Sequence, residues 1–362
     1  MTSTSPEKSP NLLELIMENS LIMGEILCNL PFVDIQRLRR VSCGIRNCVD
    51  DIQPDPNIKE YSLIITSSYV SADIRMRDSH KVTSIRYYQY YYQCNNGKRS
   101  YVQIILPYET NRNTNFDGEN FKNMALHDFE NTLSHQKKCL EELSVNTRVL
   151  NYFQDQPHVC DFCAQLGKIL KKRKSPLKVE KLAISPLYQE CAIQILTGLD
   201  PSFLKKITIV PVFPQGSGEE KFKVEQICET EQWKNAEELL IWHCTVATPI
   251  QNMNITHLSK LDIRVEDMST DDVIFLKTEL LQSKILEKFE IDFVSCSSST
   301  IYTDVLGSPH DHNRLDIICN FPMVNDIGFL LKLVLVREKV RRATEYISKK
   351  IIFSQVPNDG GQ

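Results

Sequence analysis

One short pattern recurs through the second half of this 362-residue chain and limits what it can fold into. A charged residue is followed by an apolar one, a variable one and a second apolar one. It appears as ELSV (142–145), KLAI (181–184), KITI (206–209), ELLI (238–241), KLDI (260–263), KFEI (288–291) and RLDI (314–317). Such alternation marks a strand with one buried face. The first apolar positions are Leu143, Leu182, Ile207, Leu239, Leu261, Phe289 and Leu315. Their intervals are uneven but fall near the roughly 20–29-residue period of leucine-rich repeats. The segments between them carry helical spacing. Ser269-Thr270-Asp271-Asp272 reads as a capping box ahead of Val273, Leu276 and Leu280, and residues 161–174 have the same character. Strand, helix, strand at this spacing predicts an α/β fold: parallel strands joined by helices, stacked as an irregular leucine-rich-repeat-like solenoid. A compact α/β domain with an ordinary open sheet is the alternative.

Ahead of the repeats stands a leucine-rich block. After a polar, disordered lead over residues 1–11, apolar residues return at helical spacing as Leu12, Leu15 and Ile16, then Ile22, Met23, Ile26, Leu27 and Leu30. Pro31 stops that run. Asp34 reads as the N-cap of a second helix, with Ile35, Leu38 and Val41 on one stripe and Arg37, Arg39 and Arg40 toward water. Ser42 reads as the cap of a third helix that buries Ile45 and Val49 before the breakers Pro54 and Pro56. Three short helices over residues 12–56 bury little apolar area, so such a unit gains from a partner surface.

Residues 57–117 read as a β-rich bridge. A strand is predicted over 60–66, and a hairpin from 84–93 and 101–109 that turns at Asn96-Gly97. Tyr88, Tyr90 and Tyr92 would line one face of the first hairpin strand, and Tyr87 and Tyr91 the other. With Arg86 and Lys98 near, such a platform can stack bases. Tyrosine is also an ordinary half-buried strand residue, and that is the stronger reading. The Asn-rich stretch 110–120 reads as a loop. The repeats then occupy residues 118–330. In the closing segment 331–362, residues 332–350 read as a basic amphipathic helix capping the stack, followed by a tail.

Block and repeats together resemble a known pairing. EILCNLPFVDIQRLRRVSCGIRNCVDDI (25–52) resembles an F-box, through Ile26-Leu27, Leu30-Pro31, Asp34-Ile35, Leu38-Arg39 and, most specifically, Val41-Ser42 with Ile45-Arg46 and Val49-Asp50. SPLKVEKLAIS (175–185), LDPSFLKKITI (199–209), Glu231-Gln232-Trp233-Lys234-Asn235-Ala236 and Pro249-Ile250 resemble an FTH domain. The order is that of the nematode family that joins an N-terminal F-box, of the F-box A type, to a C-terminal FTH domain. The resemblance implies that the F-box binds an Skp-type adaptor, and through it a cullin, by helix-on-helix apolar packing. By position, the implied adaptor-binding residues are Ile22, Ile26, Leu27, Leu30, Pro31, Ile35, Leu38, Val41 and Ile45. It also implies a C-terminal arm that holds a target protein of unknown identity. The chain would then be the non-catalytic substrate-recognition subunit of an SCF-type E3 ubiquitin ligase. The Leu-Pro pair that opens most F-boxes is absent, its place taken by Glu18-Asn19-Ser20. A protein-binding scaffold with a decayed F-box, which directs no ubiquitination, therefore stays open.

Other chemistries find little support. The net charge of −4 argues against general nucleic-acid binding. No run reaches the roughly 20 apolar residues of a membrane helix, and MTSTSPEKSP lacks the order of a signal peptide. The twelve cysteines often sit in apolar runs, which suits reduced thiols in an intracellular protein, cytoplasmic or nuclear. His158 and Cys160-x-x-Cys163 supply three of a zinc site's four ligands, so Cys191 or His127 would have to be recruited by the fold. As core residues of a helix Cys160 and Cys163 need no metal, and neither a metal nor a cofactor is expected. An enzyme using these three residues is the weakest of the readings. His310, Asp311 and His312 read as a polar turn. GSGEE (216–220) lacks the lysine of a phosphate loop. The basic run 168–178 suits the last turn of a helix. Trp233 reads as a buried helix anchor rather than a binding hot spot. No nucleophile elbow, zinc-protease pair, dinucleotide fingerprint or kinase set is present.

Overall fold

The structure is a computed structural model that describes residues 19–30, 34–35, 38–39, 41–77, 79–91, 98–105, 112–117, 120–148, 152–213, 220–295, 316–324, 329–339 and 346–358. The expected helical stretch at Leu12–Ile16, the turn at 216–219 and the His310–His312 cluster lie outside these residues.

The N-terminal block contains α1 (Ser20–Cys28) and α2 (Cys43–Ile52). Ser42 caps α2 as expected, its hydroxyl accepting from the Ile45 amide at 3.2 Å. Asp34, Ile35 and Leu38 are helical between them, so Asp34 stands inside the turn rather than ahead of it. Five strands follow as antiparallel neighbours: β1 (Ile58–Ile65), β2 (Tyr69–Met76), β3 (Val82–Tyr91), β4 (Lys98–Ile105) and β5 (Arg112–Asp117). The β3–β4 hairpin is the predicted one, with its turn outside the described residues. Strand β2 was not legible as a strand, although Val70, Ala72 and Ile74 alternate into the core. The expected loop at 110–120 is corrected: 112–117 is a strand. Among the described residues it stands at the end of the sheet, paired with β4 alone, and needs no apolar face.

The alternating half contains α3 (Phe121–Leu133), β6 (Leu140–Thr147), α4 (Tyr152–Lys172), β7 (Val179–Ser185), α5 (Gln189–Leu196), β8 (Lys206–Ile209) and β9 (Lys221–Phe222). It continues with α6 (Glu231–Asn235), β10 (Glu238–Ile241), β11 (Thr245–Val246), β12 (Lys260–Asp267), α7 (Thr270–Leu280) and β13 (Lys288–Ser295). The capping box of α7 forms as read, with Ser269 and Asp272 bonding each other's backbone amide.

These strands belong to one large mixed sheet. From β1 it runs through β6, β7, β8, β10 and β12 to β13, each parallel to its neighbour. The first six signature strands are therefore adjacent, and they are in register. Leu143, Leu182, Ile207, Leu239, Leu261 and Phe289 form one continuous rung across the sheet. Tyr61 extends it on one side and Phe353 on the other. Every member is buried, against Phe129, Phe162, Leu166, Ile195, Trp233 and Leu276 from the helices. Crossovers between adjacent parallel strands have one preferred hand, which puts the helices on one face and leaves the other open.

Two expectations at the C-terminus fail. RLDI does not begin a seventh parallel strand; β14 (Asp316–Pro322) runs antiparallel to β15 (Phe329–Lys339). The helix expected over 332–350 is instead β15 and the start of β16 (Tyr346–Pro357), an antiparallel pair. Leu331, Leu333 and Leu335 are buried while Leu330, Lys332 and Val334 are not, a period of two. The edge of β13 is instead paired with β16, and β15 and β14 follow it in the sheet.

Candidate functional site

The N-terminal block has its own small core of Met23, Leu27, Ile35 and Val49, against which Leu30, Leu38 and Ile45 pack partly buried. Helix α1 is apolar on more than the core-facing side. Met23 and Leu27 point in, while the residue before each, Ile22 and Ile26, is 44% and 41% exposed. One helical turn separates Ile22 from Ile26, so they share a face. Leu21 beside them is 80% exposed, and Val41, ahead of α2, is 67% exposed. Single exposed aliphatics are ordinary, but several on one small helical block make an apolar surface that a partner would cover.

The structure thus sorts the adaptor residues expected from the sequence. Ile22, Ile26 and Val41 are exposed. Leu27 and Ile35 are core, and Leu30, Leu38 and Ile45 are intermediate. Pro31 lies outside the described residues. Leu21 was missed, since helical spacing alone places it off the core stripe. Where the Leu-Pro opening would stand, Asn19 caps α1, its side-chain oxygen accepting from the Leu21 and Ile22 amides at 3.1 and 3.2 Å. The Arg39 guanidinium, 2.7 Å from Asp50, ties the middle turn to α2.

A second surface lies on the open face of the sheet. Lys206, Glu238 and Lys260 stand side by side on β8, β10 and β12, with both lysine ammonium groups 3.0 Å from the glutamate. Burial raises the Glu238 pKa, but the hydrogen bonds and charges of Lys260 and Lys206 outweigh it and hold the carboxyl below its ordinary value. Toward the C-terminal ends of the same strands opens a groove of about 540 Å³. Trp242, Asp262, Arg264, Asp292 and Val294 line it. Trp242 is 43% exposed and donates its indole N–H to Asp262 Oδ2 at 3.1 Å. His243, also in the lining, holds a left-handed φ of 60°, a strained backbone for a non-glycine residue. Sequence reading singled out the other tryptophan. Trp233 is buried, with its indole N–H bonded to the Met253 carbonyl at 2.9 Å. The alternation of ELLI carried one residue further would have placed Trp242 on the open face.

The remaining candidates are absorbed by packing. Tyr87 is buried and bonds Asp128 of α3 at 2.6 Å; the side chains of Tyr90, Tyr91 and Tyr92 lie outside the described residues. In the basic run, Lys171 and Lys172 occupy the last turn of α4, and Arg173 reaches the carbonyls of Leu133 and Gln136. Among the described residues no group of three His, Cys, Asp or Glu is placed to hold a metal ion, and His158 is exposed. Among them no helix is long and apolar enough to cross a membrane.

A family model for the F-box domain matches residues 19–56, and one for the FTH domain matches residues 160–307. No curated protein and no solved structure matches the chain. The first match spans the two-sided helix and its core. The second spans β7 to β13 and the groove. An F-box implies a role in binding the adaptor of a ubiquitin ligase, and F-box proteins are in general non-catalytic substrate receptors.

Proposed function

Because this is an F-box protein with a C-terminal FTH domain, we propose that it is the substrate-recognition subunit of an SCF-type E3 ubiquitin ligase. The F-box holds an Skp-type adaptor and through it a cullin. The FTH domain holds a target protein, and the parallel run from β6 to β13 is an irregular leucine-rich-repeat-like solenoid. One observation carries the reading: α1 keeps Ile22 and Ile26 exposed although its core is already filled by Met23 and Leu27. Burying such aliphatics against a partner helix supplies the affinity. Target ubiquitination then follows from proximity, through a raised effective concentration and a fixed orientation.

The groove around Trp242 is the target surface this reading favours. It combines an exposed tryptophan with charges of both signs on a rigid sheet, the residue type that dominates binding hot spots. The adaptor-binding set is Ile22, Ile26 and Val41 with Leu21 added, and Leu27 and Ile35 support it from inside.

The test is a pull-down of the purified chain with an Skp-type adaptor, beside the exposed-face variant Ile22→Asp, Val41→Asp. Capture by the parent and its loss in the variant, with unchanged circular dichroism, is the expected result. No capture by the folded parent overturns the ligase reading. It would favour the scaffold with a decayed F-box, which the absent Leu-Pro pair motivates.

A further inference from the structure

Cys160 and Cys163 stand three residues apart on α4 and so share a face. The fold brings Cys191 of α5 against them. Its Sγ donates to that of Cys160 at 3.5 Å, and Cys163 also interacts with it electrostatically. This approach is enforced by the backbone. A Cβ on Gly167 of α4 would come within 2.5 Å of the Gln194 carbonyl oxygen. One on Gly198, just past α5, would come within 2.4 Å of Leu170 Cβ. Both glycines let the two helices close to a distance at which their thiols touch.

We propose that Cys160 and Cys191 are an oxidisable dithiol that forms a reversible disulfide between α4 and α5 when the protein meets a peroxide. All three thiols are free in this structure. Cys160 is partly exposed, whereas Cys163 and Cys191 are buried, so Cys160 is the sulfur an oxidant reaches. Contact with Cys163, and then with Cys160, pulls the Cys191 thiol down against the opposing effect of burial, while burial and the neighbouring Cys191 push the Cys160 thiol up. The solitary buried thiols Cys228 and Cys244 are each pushed up to about 12 by burial. Cys191, whose Sγ stands 3.5 Å from that of Cys160, is the sulfur placed to attack once Cys160 is oxidised.

The chemistry balances in two steps. Hydrogen peroxide transfers one oxygen to Cys160, its O–O bond breaks, and water leaves with the thiol proton. The Cys191 thiolate then attacks the sulfenic sulfur, the S–S bond forms, the S–O bond breaks, and hydroxide leaves to become a second water. Two thiols and one peroxide give one disulfide and two waters. The sulfurs must close by about 1.5 Å to reach bonding distance.

The test uses the full chain, treated with hydrogen peroxide, then denatured, alkylated and peptide-mapped. The expected product is a cross-linked peptide joining Cys160 to Cys191, lighter by the mass of two hydrogens and reversed by dithiothreitol. It persists in Cys163→Ser and is absent in Cys160→Ser, a partly exposed position that tolerates the change. The cross-link also raises the melting midpoint by about 5 °C. A Cys160–Cys163 link, sulfinic acid at Cys160 with Cys191 still alkylated, or full alkylation of all three would overturn the assignment.

Discussion

Two neighbouring residues of α1 are predicted to fail for different reasons. Leu27 is fully buried in a core of four side chains. Truncating it to Ala costs about 2–5 kcal/mol of the block's own stability. A unit of this size has only a few kcal/mol to lose. Leu27→Ala therefore unfolds the F-box, and adaptor capture disappears with it. Ile26 is 41% exposed, so docking gains about 1 kcal/mol from covering the rest of its side chain. Ile26→Asp forfeits that gain and buries a carboxylate, at about 2 kcal/mol more. The sum, about 3 kcal/mol, weakens the adaptor complex roughly 100-fold and leaves the free protein folded. Titration calorimetry against the adaptor reads the affinity, and hydrogen exchange of the α1 and α2 amides reads the fold. Protection should vanish in Leu27→Ala and persist in Ile26→Asp. Loss of capture in Leu27→Ala with protection intact, or wild-type affinity in Ile26→Asp, would refute the two-sided assignment of this helix.

Three further outcomes are expected. Trp233→Phe removes the indole bond to Met253 and opens a void in the core, costing about 2 kcal/mol in urea unfolding with no change in adaptor capture. Ser269→Ala breaks the capping box of α7 and costs about 1 kcal/mol by the same measurement. Glu238, whose carboxyl is held below its ordinary value by Lys260 and Lys206, contributes stability that is complete above the unfolded pKa of about 4.3 and lost as pH falls through the lower folded value. Melting midpoints taken from pH 5 downward should therefore fall less steeply in Glu238→Gln than in the parent.

The parallel half was legible because a single buried rung repeats the same four-residue signature. Leu143 through Phe289 could be aligned from sequence, and they are hydrogen-bonded neighbours in that alignment. The antiparallel flanks were not. The apolar residues of β15 also satisfy a helical stripe when the basic stretch beyond them is included, and only pairing with β16 decides between the two periods. Strand β5 carries no apolar pattern at all, since backbone pairing to β4 alone defines it. In the block, the set of aliphatics was legible but its division was not. A helix apolar on two faces gives no sign in sequence of which face its own neighbours fill.

How the two surfaces are joined bears on the proposed proximity mechanism. The segment between α2 and β1 is short and is anchored at Asp55 and at the start of β1. Asp55 accepts from the amides of Asn57, Lys137 and Lys138 at 2.8, 3.2 and 2.9 Å. Gln136, 3% exposed, uses its side-chain amide as a strand neighbour would. It accepts from the Ile58 amide at 3.1 Å and donates to the Ile58 carbonyl at 3.2 Å. The left-handed φ of 57° at Asn57 turns the chain between these two anchors, a conformation asparagine tolerates. Ile35, Arg39 and Asp50 of the block then meet Asn131, Thr132 and His135 of the α3 end across a cavity of only about 60 Å³. A flexible tether would raise effective concentration while leaving orientation free. A buried amide and a three-donor carboxylate remove that freedom. The angle between the exposed aliphatic face of α1 and the open face of the sheet is thus a property of the fold, as the proposed presentation of a target to a distant catalytic subunit would require.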